Sequence, residues 1–277
     1  MADRPLGAGL GLRAELAPAM LAHRDRVDFV EVMGEHFFDV TAEGRRRLSV
    51  IADRFPVVVH TIGLSLGSPE PPPAAYLDAL ARLVDETGAE WFGDHICYTR
   101  AGGVDVGHLA PLPRTGEALD ALARNAAIVR RRVPAPMLVE NVAYLVDPPG
   151  SEMDDAEFVA RALEATGCGL LLDLTNLHAN ATNHGFDAYE WLDRVPLDRV
   201  VQVHVTGGHW RRGMLVDSHS TATPDDVWAL LDHVAARVPV RGVLVERDER
   251  IPPIEELLVE LDRARAALAA GEALRGA

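Results

Sequence analysis

Six apolar runs of the chain end in residues that titrate or bind cations. VVVHTI carries His60, WFGDHI carries His95, and LVENV carries Glu140 and Asn141. LLLDLTN carries Asp173 and Asn176, VQVHVTG carries His204, and VLVERD carries Glu246, Arg247 and Asp248. The stretch after the His204 run adds Asp217 and His219. A charge or imidazole inside an apolar run is costly unless it is paired or bound. One such residue has an ordinary explanation as a hydrogen-bonded core group; a series of them at the same place in successive runs does not. Four carboxylates (Glu140, Asp173, Asp217, Glu246) gathered with four imidazoles (His60, His95, His204, His219) would repel and take up protons. Cations remove that cost. Eight donors are too many for one ion with open positions, so two or three ions sharing bridging carboxylates are expected. No thiolate is required, and imidazole mixed with carboxylate suits iron, manganese or zinc alike.

The elements that must position these residues are short buried strands. Val-, Leu- and Ile-rich runs at 9–13, 27–32, 56–62, 90–96, 136–142, 169–175, 200–206 and 241–246 lack polar alternation, as strands covered on both faces do. Amphipathic segments separate them. Residues 115–132 follow a threonine cap, 153–166 begin with acids, 224–237 open Pro-Asp-Asp, 74–86 follow the Pro71-Pro72-Pro73 run, and 254–269 form a last long helix. Eight strand–helix alternations favour an α/β closed (βα)8 TIM barrel, one domain over 1–277, over a doubly wound sheet. The open-sheet alternative wants a phosphate loop. Gly7–Arg13 (GAGLGLR) lacks the spacing, helix and acid of a dinucleotide fingerprint. In a barrel the donor-bearing strand ends converge on the catalytic face.

Composition bounds the partners. The 277 residues carry 27 basic and 42 acidic side chains, a net charge of −15, and 5% aromatics. A binder of phosphate backbones needs a basic or stacking surface, so nucleic acid is an unfavoured partner. Two cysteines, Cys97 and Cys168, form no C-x-x-C pair, and no run approaches a membrane span; a reduced, cytoplasmic setting is expected.

Eight strings, in order, carry a resemblance: HTIGLSLGSPEP, GDHICY, LAPLPRTGEALD, LVENVAYL, TGCGLLLDLTNLHANATNHGFD, VHVTGGHW, VDSHSTATPDDVW and LVERDERIPPIEELLVELDRA. Together they resemble the multinuclear non-heme iron-dependent oxidases, which include the enzyme that makes oxazolone and thioamide groups in methanobactin. These lie within the xylose-isomerase-like barrel superfamily, which also contains endonuclease IV. The resemblance implies His60, His95 and Glu140 at one ion, and Glu140, Asp173, His204 and Glu246 at a second, with Glu140 bridging. It implies Asp217 and His219 at a third. Asn176 stands where the nuclease has histidine; an amide oxygen is a harder, weaker donor, which points from tight zinc towards labile iron. Asp94, Tyr98, His36, His108 and His178 depart from the usual family pattern, and His178 and His184 are candidate extra ligands.

The resemblance further implies oxidation of a ribosomally made precursor peptide with dioxygen, often at cysteine, and a small partner protein that binds the leader peptide. Arg247 and Asp248 are candidates for positioning substrate or a proton, or for pairing with each other. The rival readings are a metal-dependent phosphodiesterase or endonuclease, a sugar isomerase, and a metal-binding scaffold without catalysis. The acidity disfavours the first. The second typically places lysine or histidine near two metals, and this chain has no lysine.

Overall fold

The computed structural model describes residues 5–277. Eight parallel strands close on themselves: β1 (Gly7–Gly11), β2 (Phe29–Met33), β3 (Val57–His60), β4 (Phe92–His95), β7 (Met137–Glu140), β8 (Gly169–Asp173), β9 (Val200–Val205) and β12 (Gly242–Val245). Closure is made by β1, which pairs with both β2 and β12. This is the expected barrel, with the first strand two residues earlier and most strands shorter at their C-terminal ends than their apolar runs.

Helices α1 (Ala17–Ala22), α2 (Ala42–Ala52), α3 (Ala74–Thr87), α4 (Gly116–Arg132), α5 (Asp155–Thr166), α6 (Leu174–His184), α7 (Ala188–Arg194), α8 (Asp225–Ala235) and α9 (Ile254–Arg275) lie between and after the strands. Their starts follow from side-chain chemistry. Thr115 accepts from Ala118 N at 3.2 Å to cap α4, and Asp154 accepts from Glu157 N at 3.0 Å to cap α5, each cap contributing about 1 kcal/mol. Pro224 and Pro253 precede α8 and α9 with acids in the first turn. The last helix runs six residues past the expected 269. It stays against α8 because Gly271 lets the backbones meet: a Cβ there would lie 2.2 Å from the Ala235 carbonyl oxygen.

Two antiparallel hairpins interrupt the alternation. The first, β5 (Cys97–Ala101) with β6 (Val104–Pro111), follows β4; the second, β10 (Gly207–Arg211) with β11 (Met214–Thr221), follows β9. Both leave the C-terminal ends of their strands.

The core has two parts. Apolar residues between strands and helices form the larger, and Phe29, Val58, Trp91, Leu138, Leu171, Val201 and Leu244 help fill the lower barrel interior. Polar residues occupy the upper interior. Among the described residues no helix is long and apolar enough to cross a membrane.

Candidate metal centre

Strand register brings the sequence-predicted donors together. His60, His95, Glu140 and Asp173 are the last residues of β3, β4, β7 and β8. His95 sits opposite Glu140 and Asp173 opposite His204. Glu246 follows β12 directly, its amide donating to Val205 O at 3.0 Å. All six are buried. Gly93 makes room for one of them: a Cβ there would stand 3.1 Å from His60 Nδ1 and 2.9 Å from Leu171.

Asp173 has two tasks. It ends β8 and caps α6, one carboxylate oxygen accepting from Asn176 N at 2.7 Å. That cap explains the three-residue spacing of Asp173 and Asn176. Asn176 Nδ2 donates to Asn141 O at 3.0 Å, which leaves Asn176 Oδ1 buried and without a hydrogen-bond partner.

Asp217 and His219 arrive from β11. His219 adopts a φ of 49°, the left-handed region, which for a non-glycine residue is strained and concentrates at functional sites. The amide of Asp248 holds this turn by donating to His219 O at 3.0 Å. The Asp248 carboxylate also lies 3.0 Å from His219 Nδ1 in hydrogen-bond geometry, and it pairs with Arg13. With its proton on Nδ1, His219 turns a bare Nε2 inward.

The donor atoms approach one another closely and leave their lone pairs unused. His60 Nε2 and His95 Nε2 lie 3.2 and 3.4 Å from Glu140 Oε2. His204 Nδ1 lies 3.1 Å from Glu246 Oε2, and His219 Nε2 lies 2.8 Å from Asp217 Oδ1. Yet Glu140 Oε2, Asp173 Oδ2, Asn176 Oδ1, His204 Nδ1, Asp217 Oδ1 and His219 Nε2 are all buried without a hydrogen-bond partner among the described residues. Buried polar atoms are normally satisfied, and lone pairs converging at such distances fit cations placed among them. Among the described residues, four triads have mutually close donor atoms: His60, His95 and Glu140; Glu140, Asp173 and His204; Asp173, His219 and Glu246; and Glu31, His204 and Glu246. The residues present therefore fit a multinuclear centre.

Protons balance the same charges when no cation does so. Burial, then neighbouring imidazoles, lowers His60, and burial holds His95 at about 4, so both rings are neutral. Burial pushes Glu140 well up and raises Asp173 to about 7, aided by Asp217. Burial would lower His204 and His219, but the surrounding carboxylates outweigh it and lift both. Burial likewise works against ionised Glu246, and those two imidazoles overcome it. The cluster thus divides into a neutral side around His60 and His95 and an ionised side around Glu246.

Above the donors is a cavity of about 210 Å³, walled by apolar residues including Ile62, Leu109, Val142 and Leu215, with Asp248 on its lining. Arg247 is placed elsewhere. Its buried guanidinium bonds Glu260 on α9 at 2.7 Å, so neither the expected contact with the cavity nor pairing with Asp248 forms. His184 bonds Tyr144 O through Nε2 at 3.0 Å and stacks on the Tyr144 ring, and neither it nor His178 joins a donor triad. Asp94 is held by Thr61 and the amides of Leu64 and His95, and burial raises it to about 8. His108 lines the cavity.

Glu31 was not among the sequence candidates. It lies mid-strand in FVEVM rather than at a strand end, and a carboxylate inside an apolar strand is the signal that marks it.

Fold and site together define an α/β-barrel enzyme with a donor set suited to more than one cation. The chain belongs to the RiPP precursor modification enzyme family MbnB/TglH/ChrH, whose model matches residues 7–269. A UPF0276 protein of Caulobacter vibrioides is 40% identical over 266 residues, covering 96% of this chain and 95% of the relative. One of Chromobacterium violaceum is 37% identical over 260 residues, covering 94% of each. Among solved structures, endonuclease IV from Thermus thermophilus superposes with a TM-score of 0.59 at 17% identity, over 96% of this chain and 99% of its own. D-psicose 3-epimerase from Clostridium cellulolyticum gives 0.56 at 12% identity, over 97% and 98%. These two likenesses concern the xylose-isomerase-like fold alone.

Proposed function

We propose that this protein carries out iron-dependent, dioxygen-using oxidation of a ribosomally synthesised precursor peptide, acting at a cysteine, with two or three iron ions at the barrel mouth. The observation that supports it most is the convergence of buried, unpartnered donor atoms beneath a narrow cavity, in a family that modifies such precursors. His60, His95 and Glu140 would hold one ion, and Glu140, Asp173, His204 and Glu246 a second. Asp217, His219 and Asn176 would serve a third. Iron bound there supplies the open coordination positions and the electrons for dioxygen that no side chain supplies.

The chain's own groups do the rest. A cavity of about 210 Å³ admits one side chain of an extended peptide, not a folded segment. Its apolar wall excludes water from the reacting residue. Asp248, bonded to His219 and partly exposed at the rim, would receive the proton that a substrate thiol gives up on binding. A small partner protein that binds the leader would present the peptide, and the setting is cytoplasmic.

The test is metal content and optical absorption of protein purified without air, then oxygen uptake with a precursor peptide encoded beside the gene. Two to three irons per chain, and uptake that requires the peptide, are the expected result. Stoichiometric zinc or manganese with no oxygen response would sink the oxidase reading and bring forward hydrolysis or isomerisation on the same scaffold.

A further inference from the structure

Beneath the donors the barrel holds a second polar layer that the metal ligands do not account for. Glu31 stands mid-strand on β2, paired in register with Gly11 and Val58. Gln202 lies two residues before His204 on β9, hence on the same inward face. Trp91, just ahead of β4, is fully buried.

An indole can only donate, and Trp91 Nε1 donates to Gln202 Oε1 at 2.5 Å. This fixes the amide with its oxygen towards Trp91 and its nitrogen towards Glu31. Gln202 Nε2 then donates to Glu31 Oε2 at 2.6 Å. The same Oε2 lies 3.1 Å from His204 Nε2, and the two nitrogens are 2.9 Å apart. In this triangle the amide nitrogen cannot accept, so whenever His204 Nε2 carries a proton the carboxylate oxygen is the acceptor for both neighbours. With a proton on Nε2, His204 donates to Glu31. With Nε2 bare, it could instead accept the second N–H of the amide, 2.9 Å away, but the ring proton would then sit on Nδ1 and that atom could not bind a cation. The other ring nitrogen, Nδ1, faces Glu246 Oε2 at 3.1 Å and Glu140 Oε1 at 3.8 Å.

We infer that Glu31 is a positioning residue: it holds His204 in the Nε2–H tautomer, through an amide that Trp91 orients, so that Nδ1 is the atom His204 offers to a cation. A carboxylate behind a ligating histidine fixes both ring orientation and tautomer. The inference rests on reading the cluster as a metal centre. It assigns Glu31 a place behind the ligands, although Glu31 also forms a close triad with His204 and Glu246.

The test uses Zn(II) as a diamagnetic probe. Protein labelled with ¹⁵N-histidine and loaded with Zn(II) shows His204 protonated at Nε2 and coordinated through Nδ1 in long-range ¹H–¹⁵N spectra. Glu31→Gln weakens Zn(II) about 10- to 100-fold in chelator competition, while the metal-free variant keeps the wild-type circular dichroism. Trp91→Phe leaves the carboxylate, frees the Gln202 amide and moves the His204 resonances with a smaller loss of affinity; it is the variant to read if Glu31→Gln does not fold. Unchanged affinity in Glu31→Gln overturns the inference alone, as does coordination of His204 through Nε2 with loss of a whole zinc equivalent, which would make Glu31 a ligand. No zinc bound by the wild type overturns the metal centre, and the inference with it.

Discussion

His219 Nε2 stands 2.8 Å from Asp217 Oδ1, and neither atom has a hydrogen-bond partner. Two groups so close gain from a shared cation more than from each other, because their geometry does not point a hydrogen along the line between them. Asp217→Ala is therefore expected to lower bound metal by about one equivalent while leaving the barrel intact. Metal analysis beside far-ultraviolet circular dichroism checks this. Retention of full stoichiometry would place the third ion elsewhere.

Glu140 is the carboxylate that faces His60, His95 and His204 at once. Glu140→Gln removes its charge and keeps its shape. The variant is expected to lose more metal than Asp217→Ala. Its metal-free form should match or exceed wild type in thermal stability, because burial already disfavours the charged carboxylate. A metal-free variant several degrees less stable would show that ionised Glu140 supports the fold.

Gly271 is required by the contact of α9 with α8, where a Cβ would stand 2.2 Å from the Ala235 carbonyl oxygen. That obstacle is backbone and cannot swing aside. Gly271→Ala is expected to destabilise by about 1–3 kcal/mol through overpacking, read by denaturant titration, with metal content unchanged in the folded protein.

Asp155 lies in the first turn of α5, accepting from Trp191 Nε1 at 2.8 Å, and burial raises its pKa. A raised carboxyl binds protons more tightly folded than unfolded. Stability from this site is therefore fullest below the usual carboxylate pKa and declines as pH rises through the folded one. Asp155→Asn keeps the acceptor and removes the titration. Its melting temperature is expected to exceed wild type at pH 7, with the gap closing below pH ~4. An equal gap at both values would trace the effect to packing instead.

The sequence revealed the barrel because burial on both faces writes itself as unbroken apolar runs, and each of the eight became a strand. Strand ends were less legible. The run at 56–62 outlasts β3, which ends at His60 although the Thr61 amide still donates to Gly93 O on β4 and its hydroxyl donates to Asp94. The donors were legible because polar atoms in such runs stand out, whereas Glu31 lay two residues inside its strand and passed unnoticed. The hairpins were also missed, although Gly102-Gly103 and Arg212-Gly213 sit at their turns with positive φ. Arg247 turns to Glu260 on α9 while Glu246 turns into the barrel, because adjacency in sequence says nothing about direction and alternate positions along an extended chain point opposite ways.

The hairpins follow the fourth and seventh strands of the barrel, each leaving just beyond a histidine on the floor of the cavity at the barrel mouth, His95 or His204. A hairpin satisfies its own backbone and hangs from the scaffold by two short joins. Its length and surface can therefore drift while the strands beneath stay put. Descendants of one such barrel could acquire new clients by re-tailoring two flaps and inherit the reactive floor unaltered.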